Sequence, residues 1–276
     1  MTIGDYHAHT RFSMDCSETM EAQCRAAIER GISEIAFTEH VDHDTCDDES
    51  RAHYRYEEYV SEIERHRTMF GDRLTILKAA EIDWNESIRD EVAEFVANHE
   101  FDFIIGSVHN LKHTYVGFTT LEAMGGPRMM YDDYLDQVRG MVDTGFPDVV
   151  GHLDLPRRYH NVSMWDVDAG HFEARVREIF RLAADRGVGF EINTSGLRRG
   201  TGATFPEPRV LDWFVEEGGS ILTVGSDSHR AEDTGHSIPE IYTELRSLGI
   251  DWRTSFVGGE QKRVSLPGYP ARRSIY

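Results

Sequence analysis

The residues of this chain that could do chemistry are histidines and carboxylates at short, fixed spacings. The stretch D-Y-H-A-H-T-R-F-S-M-D sets His7 and His9 one residue apart and closes on Asp15. T-E-H presents His40, K-A-A-E presents Glu81, G-S-V-H presents His109, G-H presents His152, and S-D-S-H carries Asp227 and His229. Any one of these is more often an ordinary hydrogen-bonding residue or a helix cap, and a lone H-x-H is a weak signal. Together, His7, His9, Asp15, His40, Glu81, His109, His152, Asp227 and His229 make nine potential ligands. That is too many for one ion and enough for two or three that share a bridging carboxylate. Imidazole and carboxylate suit zinc, iron and manganese, whereas calcium and magnesium prefer all-oxygen shells.

Such residues converge only if the elements between them bring them to one face. Short apolar or β-branched runs near 2–6, 34–38, 74–80, 102–107, 147–151, 187–192 and 220–225 alternate with longer segments of helical period, the pattern of βαβ units around a parallel sheet. A polar residue follows the end of every run, with Glu191 and Asn193 after the sixth. Seven such units imply an α/β fold in the form of a closed (β/α) barrel, whose strand C-terminal ends share the face where active sites are built. That coincidence of strand ends and ligand types is what favours a metal site over scattered structural residues. Between the runs, Ser17 is placed to cap a helix with Met20, Cys24, Ala27 and Ile28 on one face and Gly31 at its end. Segments near 54–70, 168–186 and 232–248 show similar periodicity.

Composition narrows the classes further. At 276 residues and 39% hydrophobic content, the chain can form one large domain, expected to span 1–276. No stretch approaches the roughly 18–20 uninterrupted apolar residues of a membrane helix, and the N-terminus lacks signal-peptide segments, so a cytoplasmic protein without a membrane partner is expected. Cys16, Cys24 and Cys46 form neither an even set nor a C-x-x-C pair, which points to thiols. A formal charge of −20 with no basic tract argues against nucleic acid as a partner. Lys78, Lys112 and Lys262 are the only lysines, so nearly all positive charge is arginine, whose planar fork binds phosphate bidentately. The oligomeric state is left open.

The ordered set H-A-H, T-E-H, strand-end Glu81, G-S-V-H, G-H and S-D-S-H resembles the motifs of the polymerase and histidinol phosphatase (PHP) superfamily over nearly the whole chain. The resemblance implies a distorted seven-stranded (β/α) barrel holding three divalent transition-metal ions, zinc, iron or manganese, at its strand ends. It puts one ion on His7, His9, Glu81 and Asp227, a second on Glu81, His109 and His152, and a third on Asp15, His40 and His229. H-L-D-L-P-R-R-Y at 152–159 and E-I-N-T-S-G-L-R-R at 191–199 are similar to segments of the histidinol-phosphate phosphatase branch, which grips its substrate phosphate with strand-end arginines. Arg158 and Arg198 are expected in that role, with Arg157 and Arg199 as surface or helix-dipole residues. Asn193 and Ser195 are expected either to hydrogen-bond behind the ligands or to shape a turn.

The resemblance therefore implies metal-assisted hydrolysis of a small-molecule phosphate monoester, L-histidinol phosphate to L-histidinol and phosphate in histidine biosynthesis. A hydroxide of metal-lowered pKa would attack phosphorus in line; the group that protonates the leaving oxygen is left open, a metal-bound water near Asp15, His40 and His229 being one candidate, and His40 is counted with Arg158 and Arg198 among the catalytic residues. The segment 110–131 is long for a strand-to-helix connection and is either a lid or substrate wall, with His113, Tyr115 and Phe118 facing an imidazole ring, or a packed Ω-loop. Three other readings are open: a PHP phosphoesterase for nucleotides or sugar phosphates, an amidohydrolase, and a catalytically inactive metal-binding regulatory module. The second would need a bridging lysine where this chain has Glu81, and the third would be expected to have lost ligands.

Overall fold

The computed structural model describes residues 2–43 and 53–268. The chain lays down β1 (Gly4–Ala8), β2 (Glu34–Val41), β3 (Thr75–Asp83) and β4 (Phe103–Ser107), then a small antiparallel hairpin of β5 (Asn110–Leu111) and β6 (Thr114–Tyr115). It continues with β7 (Val149–Val150), β8 (Gly189–Asn193) and β9 (Leu222–Gly225), and ends in a second hairpin of β10 (Trp252–Ser255) and β11 (Lys262–Ser265). The main sheet has seven strands in the order β1-β2-β3-β4-β7-β8-β9, and every neighbouring pair is parallel. Its edges approach through a parallel bridge between Ala8 and Ser228, where His9 N–H donates to Ser228 O at 2.9 Å and Asp227 N–H to His7 O at 2.7 Å. The expected seven-stranded (β/α) barrel is what forms, nearly closed.

Among the described residues the helices are α1 (Met20–Glu29), α2 (Tyr56–Phe70), α3 (Arg89–Asn98), α4 (Pro127–Thr144), α5 (Pro156–His160), α6 (Met164–Arg186), α7 (Ser195–Arg198), α8 (Leu211–Glu216) and α9 (Ile238–Ser247). The cap of α1 is Thr19 rather than Ser17: the Thr19 side chain accepts the Ala22 N–H, and Gly31, at φ 74°, follows the C-terminal end. Helix α6 begins before residue 168, because Ser163 caps an earlier turn and Asp168 marks a non-helical kink. Conversely, α9 begins only at Ile238, after a separate 3-10 turn at Ala231–Asp233. Helices α3 and α4 were not anticipated; α4 starts inside the stretch expected to be loop, with Pro127 in its first turn.

Strand parity divides the core. On β3, Leu77 and Ala79 point into the barrel while Ala80 and Ile82 join the outer helical layer; on β2, Ala36 points in while Ile35 and Phe37 point out. Tyr6, Leu77, Phe103, Val149 and Phe256 fill the lower interior. Below them, fully buried Arg253 on β10 pairs with Glu34 at 3.0 Å, so the C-terminal hairpin plugs the end opposite the polar strand termini. Cys16 and Cys24 are buried free thiols, and Cys46 lies outside the described residues. Among the described residues, no helix is long and apolar enough to cross a membrane.

Candidate metal centre

The same parity aims the ligands. Continuing two residues at a time along β2 and β3 brings His40 and Glu81 to the inner face above the apolar plug, so the strands run further than their apolar sequences suggest. Strand β1 needs a correction to do likewise, since Tyr6 already points inward. Its register against β2 slips by one residue between Asp5 and Ala8, a bulge that flips the parity and turns His7 and His9 into the barrel.

Glu81 stands at the middle of the cluster and is buried. Its Oε1 lies 2.8 Å from His152 Nε2 and 3.2 Å from His109 Nε2, and it accepts the Ser107 hydroxyl at 2.6 Å. Its Oε2 lies 3.2 Å from His7 Nε2, 3.5 Å from His9 Nε2 and 3.1 Å from His40 Nδ1. Asp227 Oδ1 is 3.7 Å from His9 Nε2 and 3.4 Å from His229 Nδ1. Asp15, half-exposed at the rim, reaches His229 Nε2 at 3.1 Å and His40 Nε2 at 3.5 Å. All nine expected ligands thus converge although they come from opposite ends of the sequence.

The electrostatics are those of imidazoles crowded around carboxylates. Burial works against protonation of His109, but Glu81 and Asp42 outweigh it and push this histidine up to about 10. His7 is likewise buried yet held well above the usual histidine value by Glu191 and Glu81, and His40 by Asp15 and Glu81. His9 goes the other way: burial, with His229, His40 and His7 beside it, drops it well below. Burial also opposes ionisation of Glu81, but His7, His109 and His40 hold its carboxyl well below the ordinary range.

The donor set fits divalent transition metals. His40 Nδ1 is buried without a hydrogen-bond partner although it lies close to Glu81, and His7 Nε2 and His9 Nε2 face each other at 3.0 Å. Buried polar atoms left unpaired and aimed at one point are what a cation satisfies. Ligand atoms lie within 4.8 Å of one another in each of four groups: His7, His9, Glu81; Glu81, His109, His152; His9, His40, His229; and His40, Asp42, His109.

The arginines separate into different tasks. Arg158 turns toward the centre, with Nη1 3.4 Å from Asp227 Oδ2. Arg157, expected as a surface or helix-dipole residue, is in the last turn of α5 but buried rather than at the surface: Nε donates to Asp154 at 3.2 Å and Nη2 to Thr204 O at 2.6 Å. On the short helix α5, consecutive residues project about 100° apart, so only one of the pair can face the ligands. Arg198 donates from Nη1 to Ser226 O and from Nη2 to Asp227 O, both at 2.6 Å, and Arg199 is exposed. The model of the PHP domain family matches residues 5–195. This chain belongs to the PHP domain family.

Among PHP relatives, a protein of Deinococcus radiodurans named probable histidinol-phosphatase is 27% identical over 89% of this chain and 93% of its own length. The protein of the same name from Schizosaccharomyces pombe is 28% identical over 88% of this chain and 86% of its own. The crystal structure of histidinol phosphate phosphatase from Lactococcus lactis, complexed with zinc, L-histidinol and phosphate, matches with a TM-score of 0.83 at 27% identity, over 95% of this chain and 99% of that one.

Behind the PHP ligands, sequence reasoning placed Glu191 and Asn193 at a strand end without giving Glu191 a partner, and it missed Asp42. Glu191 Oε1 lies 2.7 Å from His7 Nδ1, while its Oε2 accepts the His152 N–H at 3.2 Å and the Asn193 amide at 3.2 Å. Asn193 Oδ1 in turn accepts the Ser195 N–H at 3.0 Å, so Asn193 both braces Glu191 and shapes the turn. Asp42 Oδ1 approaches His109 Nδ1 at 3.5 Å. The signal for Asp42 was its place two residues beyond His40, obscured in a chain with 49 acidic residues. Tyr115 on the β5–β6 hairpin meets Tyr159 hydroxyl to hydroxyl at 2.5 Å beside His109, whereas Phe118 is 84% exposed. His113 sits in the hairpin turn with φ 60°.

Proposed function

We propose that this chain is a phosphoric monoester hydrolase that converts L-histidinol phosphate to L-histidinol and inorganic phosphate, acting as a single cytoplasmic domain on three divalent transition-metal ions. The observation that carries this reading is the convergence of five imidazoles on one buried carboxylate, Glu81, with a sixth, His229, on the neighbouring Asp227 and an arginine at the rim. It is supported by the likeness to a phosphatase structure complexed with zinc, L-histidinol and phosphate. His7, His9, Glu81 and Asp227 would hold one ion, Glu81, His109 and His152 a second, and Asp15, His40 and His229 a third. When bound, zinc, iron or manganese would supply Lewis acidity, lowering the pKa of water and offsetting phosphoryl charge.

The chain's own residues supply the rest. Arg158 presents a fixed cationic fork beside Asp227, suited to the equatorial oxygens of a phosphoryl group in an otherwise acidic protein. Arg198 keeps one further N–H on each terminal nitrogen beyond those given to Ser226 and Asp227, and can offer it to the same group. His40 touches both Glu81 and Asp15 and stacks on His9 with ring centroids 4.4 Å apart, linking the interior ligands to the rim where the leaving oxygen must be protonated. Phosphate release from L-histidinol phosphate, measured beside nucleoside monophosphates and sugar phosphates on protein of known metal content, tests the reading. Equal rates across all three substrate classes would refute the assigned specificity.

A further inference from the structure

We propose that Glu39 and Ser13 form a positioning relay that fixes the tautomer of His9 and so aims its bare Nε2 at the metal centre. The proposal rests on the metal-dependent reading above but not on the identity of the substrate. Glu39 is fully buried on β2 and makes no contact with the ligand atoms themselves; its partners are Thr10 and Ser13, in the loop after β1.

Two main-chain N–H groups, whose donor role is not negotiable, determine every proton in the relay. Thr10 N–H donates to Glu39 Oε2 at 3.0 Å, so that oxygen is an acceptor. Ser13 Oγ lies 2.6 Å from the same oxygen and must therefore donate its hydroxyl proton to it. Only lone pairs remain on Ser13 Oγ, and one takes the His40 N–H at 3.1 Å. The other faces His9 Nδ1 at 2.9 Å, so this nitrogen carries the hydrogen. A neutral imidazole has one N–H, which leaves Nε2 unprotonated, and Nε2 is the atom facing His7, Glu81 and Asp227. The Thr10 hydroxyl, 2.6 Å from Glu39 Oε1, holds the other carboxylate oxygen. His7 is oriented directly by a carboxylate, Glu191; His9 is oriented by a carboxylate acting through a hydroxyl.

The test uses the full chain, stripped of metal, with two readouts: zinc affinity by competition with a chromophoric chelator, and side-chain 15N resonances of histidine, His9 being assigned by difference from His9→Gln. Ser13→Ala is expected to weaken zinc binding about 10- to 100-fold, the usual cost of losing the group that orients a ligand histidine. It is also expected to shift His9 from the Nδ1–H form to a tautomer mixture, which a purely structural role would not do. Glu39→Gln should recover most of the affinity relative to Glu39→Ala, since its amide oxygen can replace Oε2 while the NH2 faces the Thr10 hydroxyl. If Glu39→Ala does not fold, Ser13→Ala, which removes a single oxygen, decides the matter. Wild-type zinc affinity and an unchanged His9 tautomer in Ser13→Ala would overturn the relay alone; a wild-type chain that binds no zinc would overturn the relay and the metal centre together.

Discussion

Glu81 Oε1 and His152 Nε2 meet at 2.8 Å, while the other oxygen of the same carboxylate faces His7, His9 and His40. One side chain therefore serves two ligand groups with its two oxygens, as a bridging ligand does. Glu81→Gln keeps the shape and can still accept the Ser107 hydroxyl, but it removes the shared charge. Elemental analysis is expected to show the loss of at least two ions per chain, with activity falling in step. Full metal content in Glu81→Gln would mean that the two groups bind independently of Glu81.

The closeness of β9 to β1 behind the centre leads to a second expectation. A Cβ at Gly225 would lie 2.3 Å from His7 Cβ and 2.4 Å from Glu191 Oε1, and the backbone there is not left-handed, so the obstruction is steric alone. Gly225→Ala must displace the His7–Glu191 pair, at a cost of about 1–3 kcal/mol in stability with loss of metal. Gly170→Ala, on α6 with open space around it, is the control and should be neutral or slightly stabilising. Thermal unfolding and metal analysis of the two variants would expose the error if they behaved alike.

The ligands were legible in the sequence because their residue types are uncommon together and each follows an apolar run. The ladder lengths were not, because a strand that carries His40 or Glu81 inward looks, residue by residue, as if it had ended. The bulge in β1 could not be read either: nothing in D-Y-H-A-H says that Tyr6 and His7 both face inward. Glu39, Asp42 and Glu191 act through other side chains, and although Glu191 stood at a strand end and Asp42 close to His40, in so acidic a chain nothing marks which histidine, if any, such a carboxylate orients. The choice between Arg157 and Arg158 depended on the phase of a helix that spans only Pro156–His160.

Metal binding should be strongly pH-dependent, because protons and ions compete for the same nitrogens. His109 has its folded value raised from 6.5 to about 10, so in the metal-free protein the stability from its pairing with Glu81 is fully present below about 6.5 and is lost as pH rises through about 10. His7 and His40 are raised in the same direction. Zinc must expel these protons, so its apparent affinity should increase from about pH 6 toward mildly alkaline values, and binding should release more than one proton. Calorimetry in buffers of different ionisation enthalpy counts them. An activity optimum near ~pH 5 would contradict the assignment.

Arg157, Arg158 and Arg198 should fail in three distinguishable ways. Arg158 faces the centre without bracing any main-chain group that ties down a ligand, so Arg158→Ala should lose a charge-assisted substrate contact of about 2–4 kcal/mol, roughly 30- to 1000-fold in kcat/KM, with metal content retained. Lysine at that position should restore only part of the loss, since a point charge does not reproduce the bidentate fork. Arg198 also clamps the carbonyls of Ser226 and Asp227, and Asp227 sits at φ 53°, a left-handed backbone that these two hydrogen bonds help to hold. Arg198→Ala should therefore lower kcat/KM and metal content together. Arg157 is buried against Asp154 and the Thr204 carbonyl, and its removal should destabilise the fold by about 3–5 kcal/mol while the surviving folded enzyme binds substrate normally. Steady-state kinetics, metal analysis and thermal unfolding on the three alanine variants separate these outcomes. Wild-type kcat/KM in both Arg158→Ala and Arg198→Ala would show that phosphate is held without arginine.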